Sequence, residues 1–160
     1  MKQTLLILAL VLISSCSLSE KSSPNIVSYD DLIVYNNDFN SLSSLIIDKD
    51  GVTVDSITSR SDLIISSYFS SSICFLSPSK DSIISKGNIK KTGIVDYGAF
   101  SYSYAPTSGY NDMEYPNAGH WYYLMTEESI FARFYLKSYS SDSILIYLEL
   151  LSDSGSFFGE

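Results

Sequence analysis

Alternation of hydrophobic and polar residues is clearest in the last third of the chain. The predicted strands there are three apolar and aromatic runs: His120–Thr126, Ile130–Tyr139 and Ser143–Leu151. Short polar turns separate the runs, so the spacing predicts a three-stranded antiparallel meander. Period-2 alternation gives the middle strand a predicted core face of four residues: Ile130, Ala132, Phe134 and Leu136. The opposite face carries two charged and three aromatic residues: Arg133, Lys137, Phe131, Tyr135 and Tyr139.

The first half of the chain contains shorter strand patterns. Between residues 44 and 55, β-branched runs flank the pair Asp50-Gly51, which predicts a hairpin. Further strands are predicted over four runs and one short candidate: Asp31–Tyr35, Leu63–Phe69, Ser72–Leu76, Ile94–Tyr97 and the surroundings of Ile89. A break is predicted at Pro78. The segment Ala105–Gly119 has two prolines and two glycines and is predicted to be a long loop.

The composition agrees with this pattern. Serine is abundant, alanine is scarce, and the 13 tyrosines outnumber the 8 phenylalanines, which favours strands and turns over long helices. The predicted fold class is mainly β, with a single antiparallel sheet or sandwich-like domain over residues 26–160 that ends in the meander.

The N-terminus has the features of a bacterial lipoprotein signal. Lys2 precedes an apolar run from Leu5 to Ile13, which is too short to span a bilayer, and two serines stand directly before Cys16. We therefore predict a signal peptide over residues 1–15, acylation of Cys16 and a flexible tether over 16–25. The protein is then anchored in the lipid bilayer of the cell envelope, and Ser17 is compatible with the outer membrane. The alternative is an ordinary secretory signal followed by a chance cysteine.

Charge and cysteine usage limit the partners. The formal net charge of −8 argues against nucleic acid as a ligand. If Cys16 is acylated, Cys74 has no partner for a disulfide, and its apolar surroundings predict a buried thiol.

Enzyme motifs in the chain are incomplete. Ser77–Lys80 matches the S-x-x-K pattern of penicillin-binding serine enzymes and Lys91–Gly93 matches their K-T-G, but the S-D-N element between them is missing and the chain is too short for that fold. His120 is the one histidine, which excludes a zinc site that needs several. We therefore predict a protein that is not an enzyme.

The C-terminal third resembles the HmuY-like haem-binding lipoproteins. The resemblance rests on His120–Tyr139, followed by Ile144–Leu148: an aromatic strand, a polar turn, and a strand that places Ala132 beside Arg133 and ends in Ser-Tyr. A weaker likeness covers Asp62–Ile65. The resemblance implies a mainly antiparallel β fold and a protein that holds haem and passes it to a partner at the outer membrane.

The resemblance also implies candidate ligands for the haem iron. In the HmuY-like family the haem iron is bound by two His or Met side chains. Met113 lies in the loop that corresponds to the position of one of these ligands. The upstream region, residues 80–104, contains neither His nor Met. Tyrosine can ligate ferric haem, which makes four residues around the loop substitutes: Tyr102, Tyr104, Tyr110 and Tyr115. His120 and Met125 are the remaining candidates, although packing within a strand explains both more simply. The alternative function is a lipid-anchored module that binds a protein or an envelope component through its aromatic sheet face and loop.

Overall fold

The computed structural model describes residues 25–38, 40–67, 72–151 and 158. The predicted signal peptide, Cys16 and nearly all of the predicted tether lie outside the described residues. Within them the chain forms ten strands and one short 3-10 turn at Pro78–Lys80. The strands are β1 (Ile26–Tyr35), β2 (Ser44–Asp48), β3 (Gly51–Asp55), β4 (Leu63–Ser66), β5 (Cys74–Leu76), β6 (Gly93–Asp96), β7 (Met113–Glu114), β8 (Trp121–Met125), β9 (Phe131–Tyr139) and β10 (Ser143–Leu151).

Two five-stranded antiparallel sheets make up the domain. The first has the order β1-β10-β9-β8-β6, and the second has the order β3-β2-β4-β5-β7. The meander β8-β9-β10 is thus the centre of the first sheet, and the predicted hairpin is β2-β3 at the edge of the second. The prediction of a mainly β, sandwich-like domain is confirmed.

The hairpin turn shows why this sequence reverses direction here. Asp48 pairs with Gly51, and the Asp48 carboxylate accepts the backbone N–H groups of Asp50 and Gly51 at 3.0 and 3.1 Å. A side chain at position 51 would place its Cβ 2.7 Å from the Tyr29 hydroxyl oxygen, which in turn accepts the N–H of Val52. Glycine at this position therefore lets β1 of one sheet approach β3 of the other.

The main core lies between the sheets. Ala132, Phe134 and Leu136 are fully buried in it and Ile130 packs against it, which confirms the predicted core face of the middle strand. An aromatic group joins the layers: the Phe75 ring of the second sheet meets Tyr122 and Phe134 of the first edge-on, at centroid distances of 4.9 and 5.2 Å.

Several predicted boundaries were wrong. The surroundings of Ile89 form no strand, and Ile89 itself is 78% exposed. β1 begins five residues earlier than predicted, at Ile26, because its N-terminal half pairs with β10. The strand predicted from Leu63 ends at Ser66, and the one predicted from Ser72 begins at Cys74. The segment Ala105–Gly119 is not loop throughout, since it contains β7.

Cys74 is buried as predicted, with a relative exposure of 0%. Its thiol donates a hydrogen bond to the Ser66 carbonyl oxygen at 2.9 Å.

Candidate functional site

A polar cluster that contains the single histidine of the chain lies where β6 ends and β8 begins. These two strands pair antiparallel, with Asp96 opposite Tyr122. That register brings Asp96, the last residue of β6, next to His120, the residue directly before β8. We call the cluster of Asp96, Asn117, His120 and Tyr122 the Asp96 cluster.

The Asp96 carboxylate is the acceptor at its centre. His120 Nδ1 lies 2.9 and 3.0 Å from the two carboxylate oxygens, Asn117 donates its side-chain N–H at 3.0 Å, and Gly98 donates its backbone N–H at 2.8 Å. Partial burial acts to raise the pKa of Asp96, but these hydrogen bonds outweigh it and hold the pKa below its usual range. The carboxylate is therefore charged at neutral pH.

The hydroxyl of Tyr122 connects the cluster to the preceding loop. It accepts the N–H of Asn117 at 2.8 Å and donates to the Tyr115 carbonyl oxygen at 2.9 Å. Burial raises the pKa of Tyr122, so the hydroxyl keeps its proton as a donor. The loop before β8 is thereby held against the sheet by a buried anchor.

The geometry defines which nitrogen of His120 is available. A carboxylate at Nδ1 favours the tautomer with the proton on that nitrogen, which leaves the Nε2 lone pair free. The His120 side chain is 35% exposed. An imidazole oriented in this way is suited to bind a metal or to accept a hydrogen bond.

Met113 lies in different surroundings. It pairs with Leu76 across β5 and β7, and its side chain packs against an apolar cluster on the second sheet: Ile57, Ile64, Cys74, Leu76 and Ile84. Packing accounts for this thioether, and the structure does not place it in the Asp96 cluster. Met125 ends β8 opposite Phe131 and is half-buried.

The tyrosines predicted as haem ligands lie in different parts of the structure. Tyr115 is 45% exposed and belongs to the loop held by Tyr122. Tyr104 is 55% exposed on the segment after β6. Tyr110 is half-buried against Tyr123 and Phe158, and burial raises its pKa to about 12. Tyr115 therefore contacts the Asp96 cluster through its backbone carbonyl, whereas Tyr110 packs against a different cluster.

An exposed aromatic loop, residues 97–104, covers part of the outer face of the first sheet. Phe100, Tyr102 and Tyr104 are 73%, 52% and 55% exposed. Hydrogen bonds to the backbone of Tyr102 hold this loop against the sheet. The Tyr123 hydroxyl accepts the Tyr102 N–H and donates to the Tyr102 carbonyl oxygen, both at 2.6 Å. Arg133 donates to the same carbonyl oxygen at 2.8 Å. The sequence did not single out Arg133 or Tyr123 for this role, since nothing local links them to Tyr102.

Two kinds of feature are absent from the described residues, a metal-ligand cluster and a membrane-spanning helix. No group of three or more His, Cys, Asp or Glu side chains there could hold a metal ion. Nor does that part of the chain contain a helix long and apolar enough to cross a membrane.

Comparison of the sequence with protein families and with curated proteins finds no match. Among solved structures, the chain is similar to a DUF4466 family protein from Parabacteroides merdae, with a TM-score of 0.64 and 13% sequence identity. The similarity covers 80% of this chain and 54% of the other, so this chain spans about half the length of that protein. At this identity the likeness concerns the fold alone, and it supports the all-β domain.

Proposed function

We propose that the protein is a lipid-anchored, non-enzymatic binding protein of the cell envelope, and that its cargo is haem, bound through Nε2 of His120. The observation that carries this proposal is the bond between His120 Nδ1 and the Asp96 carboxylate. Histidines that bind metals typically donate the N–H of their other ring nitrogen to such an acceptor. This hydrogen bond fixes the orientation of the ring and raises the basicity of the ligating nitrogen. Imidazole is a common axial ligand of haem iron.

The remaining residues of the predicted ligand set fit this proposal unequally. The packing of Met113 against Leu76 and Ile84 argues against it as a second ligand. Tyr115 is exposed and lies on the loop bonded to Tyr122, so its ring is available to pack against a flat macrocycle. His120 is therefore the one axial ligand that the proposal takes from this chain.

A haem titration followed by absorbance tests the proposal. The chain from Ser17 to Glu160, which we call the soluble domain, should give a saturable Soret band, and His120→Ala should abolish that band. Asp96→Asn should weaken binding about tenfold to hundredfold, because it removes the carboxylate behind the imidazole. Met113→Leu serves as the matched control and should leave the affinity unchanged. Loss of the band in Met113→Leu but not in His120→Ala would refute the assignment.

The lipid anchor has a separate test. Cys16→Ala should move the full-length protein from the detergent phase to the aqueous phase and prevent cleavage before residue 16, because acylation requires the thiol. Cys74→Ala removes the other thiol and should leave partitioning unchanged. Unchanged partitioning of Cys16→Ala would contradict anchoring at this residue.

A second candidate function is supported by the aromatic loop. Its composition of Tyr, Ser and Gly around Phe100 resembles that of protein-binding loops in antibodies, where rigid aromatic side chains provide contact area at low entropic cost. In this version the anchored protein binds another envelope protein. Pull-down from envelope extracts should recover a partner that Phe100→Ser and Tyr104→Ser lose and that Tyr139→Ser, a change at a tyrosine 46% exposed elsewhere, retains. Equal recovery by all variants would reject the loop as the interface.

A further inference from the structure

Ser77–Lys80 and Lys91–Gly93, which are separated by ten residues in sequence, meet at one open cavity of about 300 Å³. The third segment at this cavity is Tyr110–Asp112. Gly93 begins β6 at an edge of the first sheet, and Asp112 directly precedes β7 at an edge of the second. The residues that line the cavity belong neither to the Asp96 cluster nor to the aromatic loop, and neither candidate function uses the cavity.

Backbone hydrogen bonds fix the three segments together. Ile94 and Asn111 exchange two bonds of 2.8 Å, and Ser77 donates its N–H to the Asp112 carbonyl at 2.8 Å. At Gly93 a Cβ would lie 2.7 Å from the Tyr110 Cβ, so glycine is required for this close approach. The cavity is therefore a preformed feature of the fold.

The side chains around the cavity offer more hydrogen-bond donors than they have acceptors for. The Thr92 hydroxyl is buried without any partner. Ser77 Oγ accepts the Thr92 N–H at 2.9 Å, and its own proton can go to Ser79 Oγ at 3.0 Å or to the Lys90 carbonyl oxygen at 3.3 Å. When Ser77 donates its proton to Ser79, the Ser79 hydroxyl is free to donate to a ligand.

The charges at the cavity favour an anion. Lys80 neutralises Asp112 through bonds of 3.1 and 3.2 Å to its two carboxylate oxygens. Among the described residues, the Lys91 ammonium forms no ion pair within 4.0 Å, and the neighbouring Glu127 carboxylate accepts the Lys91 backbone N–H at 3.3 Å. One free ammonium beside hydroxyl donors suits a single negative charge.

We propose that this cavity binds a carboxylate group, with Lys91 as the counter-charge and Thr92 and Ser79 as hydrogen-bond donors. A phosphate group carries roughly two negative charges at neutral pH, whereas Lys91 is the one cationic residue among the described residues that line the cavity. Ser77 acts as a positioning residue and not as a nucleophile. Its Oγ accepts the Thr92 N–H, and Lys80, the lysine of the S-x-x-K pattern, is paired with Asp112. The carboxylate can come from a free small acid or from a peptide C-terminus.

Chemical-shift titration of the ¹⁵N-labelled soluble domain tests this site. The probes are acetate, acetyl-dialanine with a free C-terminal carboxylate, and acetyl-dialanine amide. We expect saturable shifts of the Gly93 and Asn111 amides with both carboxylates and none with the amide. Stronger binding of the peptide than of acetate identifies a C-terminus as the preferred source, and equal binding identifies a small acid.

Two variants separate binding from folding. Lys91→Met removes an exposed ammonium and should weaken binding about tenfold, which is typical for the loss of a contact to a charged group. Thr92→Val removes a hydroxyl without a partner, so it should reduce binding while leaving the thermal stability unchanged or higher. Lys49→Met, in the hairpin turn, is the matched control. The proposal is overturned if no amide shifts saturate, if the amide probe binds equally, or if Lys91→Met and Lys49→Met behave alike.

Discussion

Phe75→Ala is expected to lower the free energy of unfolding by about 3–5 kcal/mol, the range for truncation of a buried phenylalanine. Phe75 is fully buried and belongs to β5 in the second sheet. Its ring contacts Tyr122 and Phe134, which stack on each other in the first sheet at a centroid distance of 4.9 Å. The substitution removes both edge-on contacts and leaves a cavity between the layers that neighbouring backbone cannot fill.

Denaturant unfolding measures this effect. Phe100→Ala is the matched control, because the Phe100 ring is 73% exposed and its removal should change the free energy of unfolding by no more than about 0.5 kcal/mol. Similar losses for the two variants would contradict the packing of the sheets through Phe75.

Lys90→Met is expected to lower the free energy of unfolding by about 3 kcal/mol, the lower end of the range for removing one partner of a buried pair. The Asp62 carboxylate is fully buried and bonds the Lys90 ammonium at 3.0 Å and the Ile47 N–H at 2.8 Å. The Lys90 side chain is 23% exposed and also pairs with Glu128 at 2.8 Å, which places the effect toward the smaller values. Without Lys90 the Asp62 charge has no cationic partner among the described residues.

The pH dependence of this loss of stability follows from the carboxyl groups of Asp62 and Glu128. Burial raises the pKa of Asp62 above its unfolded value, in spite of the bonds from Ile47 and Lys90. A raised folded pKa gives a contribution to stability that is complete below about pH 4 and declines as the pH rises through the folded value. Removal of Lys90 raises that pKa further, so the deficit should be largest at neutral pH and narrow on acidification. The hydrogen bond from Lys90 lowers the pKa of Glu128, and loss of that bond acts in the same direction.

Two variants check this interpretation. Asp62→Asn added to Lys90→Met removes the charge left behind and should recover part of the lost stability. Lys80→Met breaks the solvent-exposed pair with Asp112 and should cost less than about 1 kcal/mol. A deficit in Lys90→Met that is constant with pH, or no recovery in the double variant, would show that Asp62 is not the source.

The parts of the fold that the sequence predicted are those with a local signal, either period-2 alternation or a turn pair between β-branched runs. The meander has apolar residues on one face and polar turns between its strands, and the β2-β3 hairpin has β-branched runs on both sides of Asp50-Gly51. Both signals lie in neighbouring residues. The strand predicted around Ile89 was wrong because a single β-branched residue between polar ones carries no such alternation. β7, with only two residues, was missed for the same reason: it exists because β5 offers an edge to Met113 and Glu114.

The candidate site was predicted less completely, because its contacts are long-range. His120 was considered as a ligand, but its pairing with Asp96 depends on the register of β6 against β8, which the sequence does not reveal. Likewise, no local pattern indicates that Thr92 donates to Ser77 or that Asp62 is buried against Lys90. Met113 was favoured by position in the loop, whereas the structure places it in an apolar cluster.

The most direct test of haem binding through His120 is imidazole rescue. His120→Ala removes the ligand while Asp96, Asn117 and Tyr122 remain to shape the site. Haem added to this variant should give no protein-bound Soret band, and free imidazole added with the haem should restore the band of the wild-type complex. A wild-type band in His120→Ala without imidazole would contradict the assignment of His120. Absence of any band in the wild-type protein would contradict haem as the cargo.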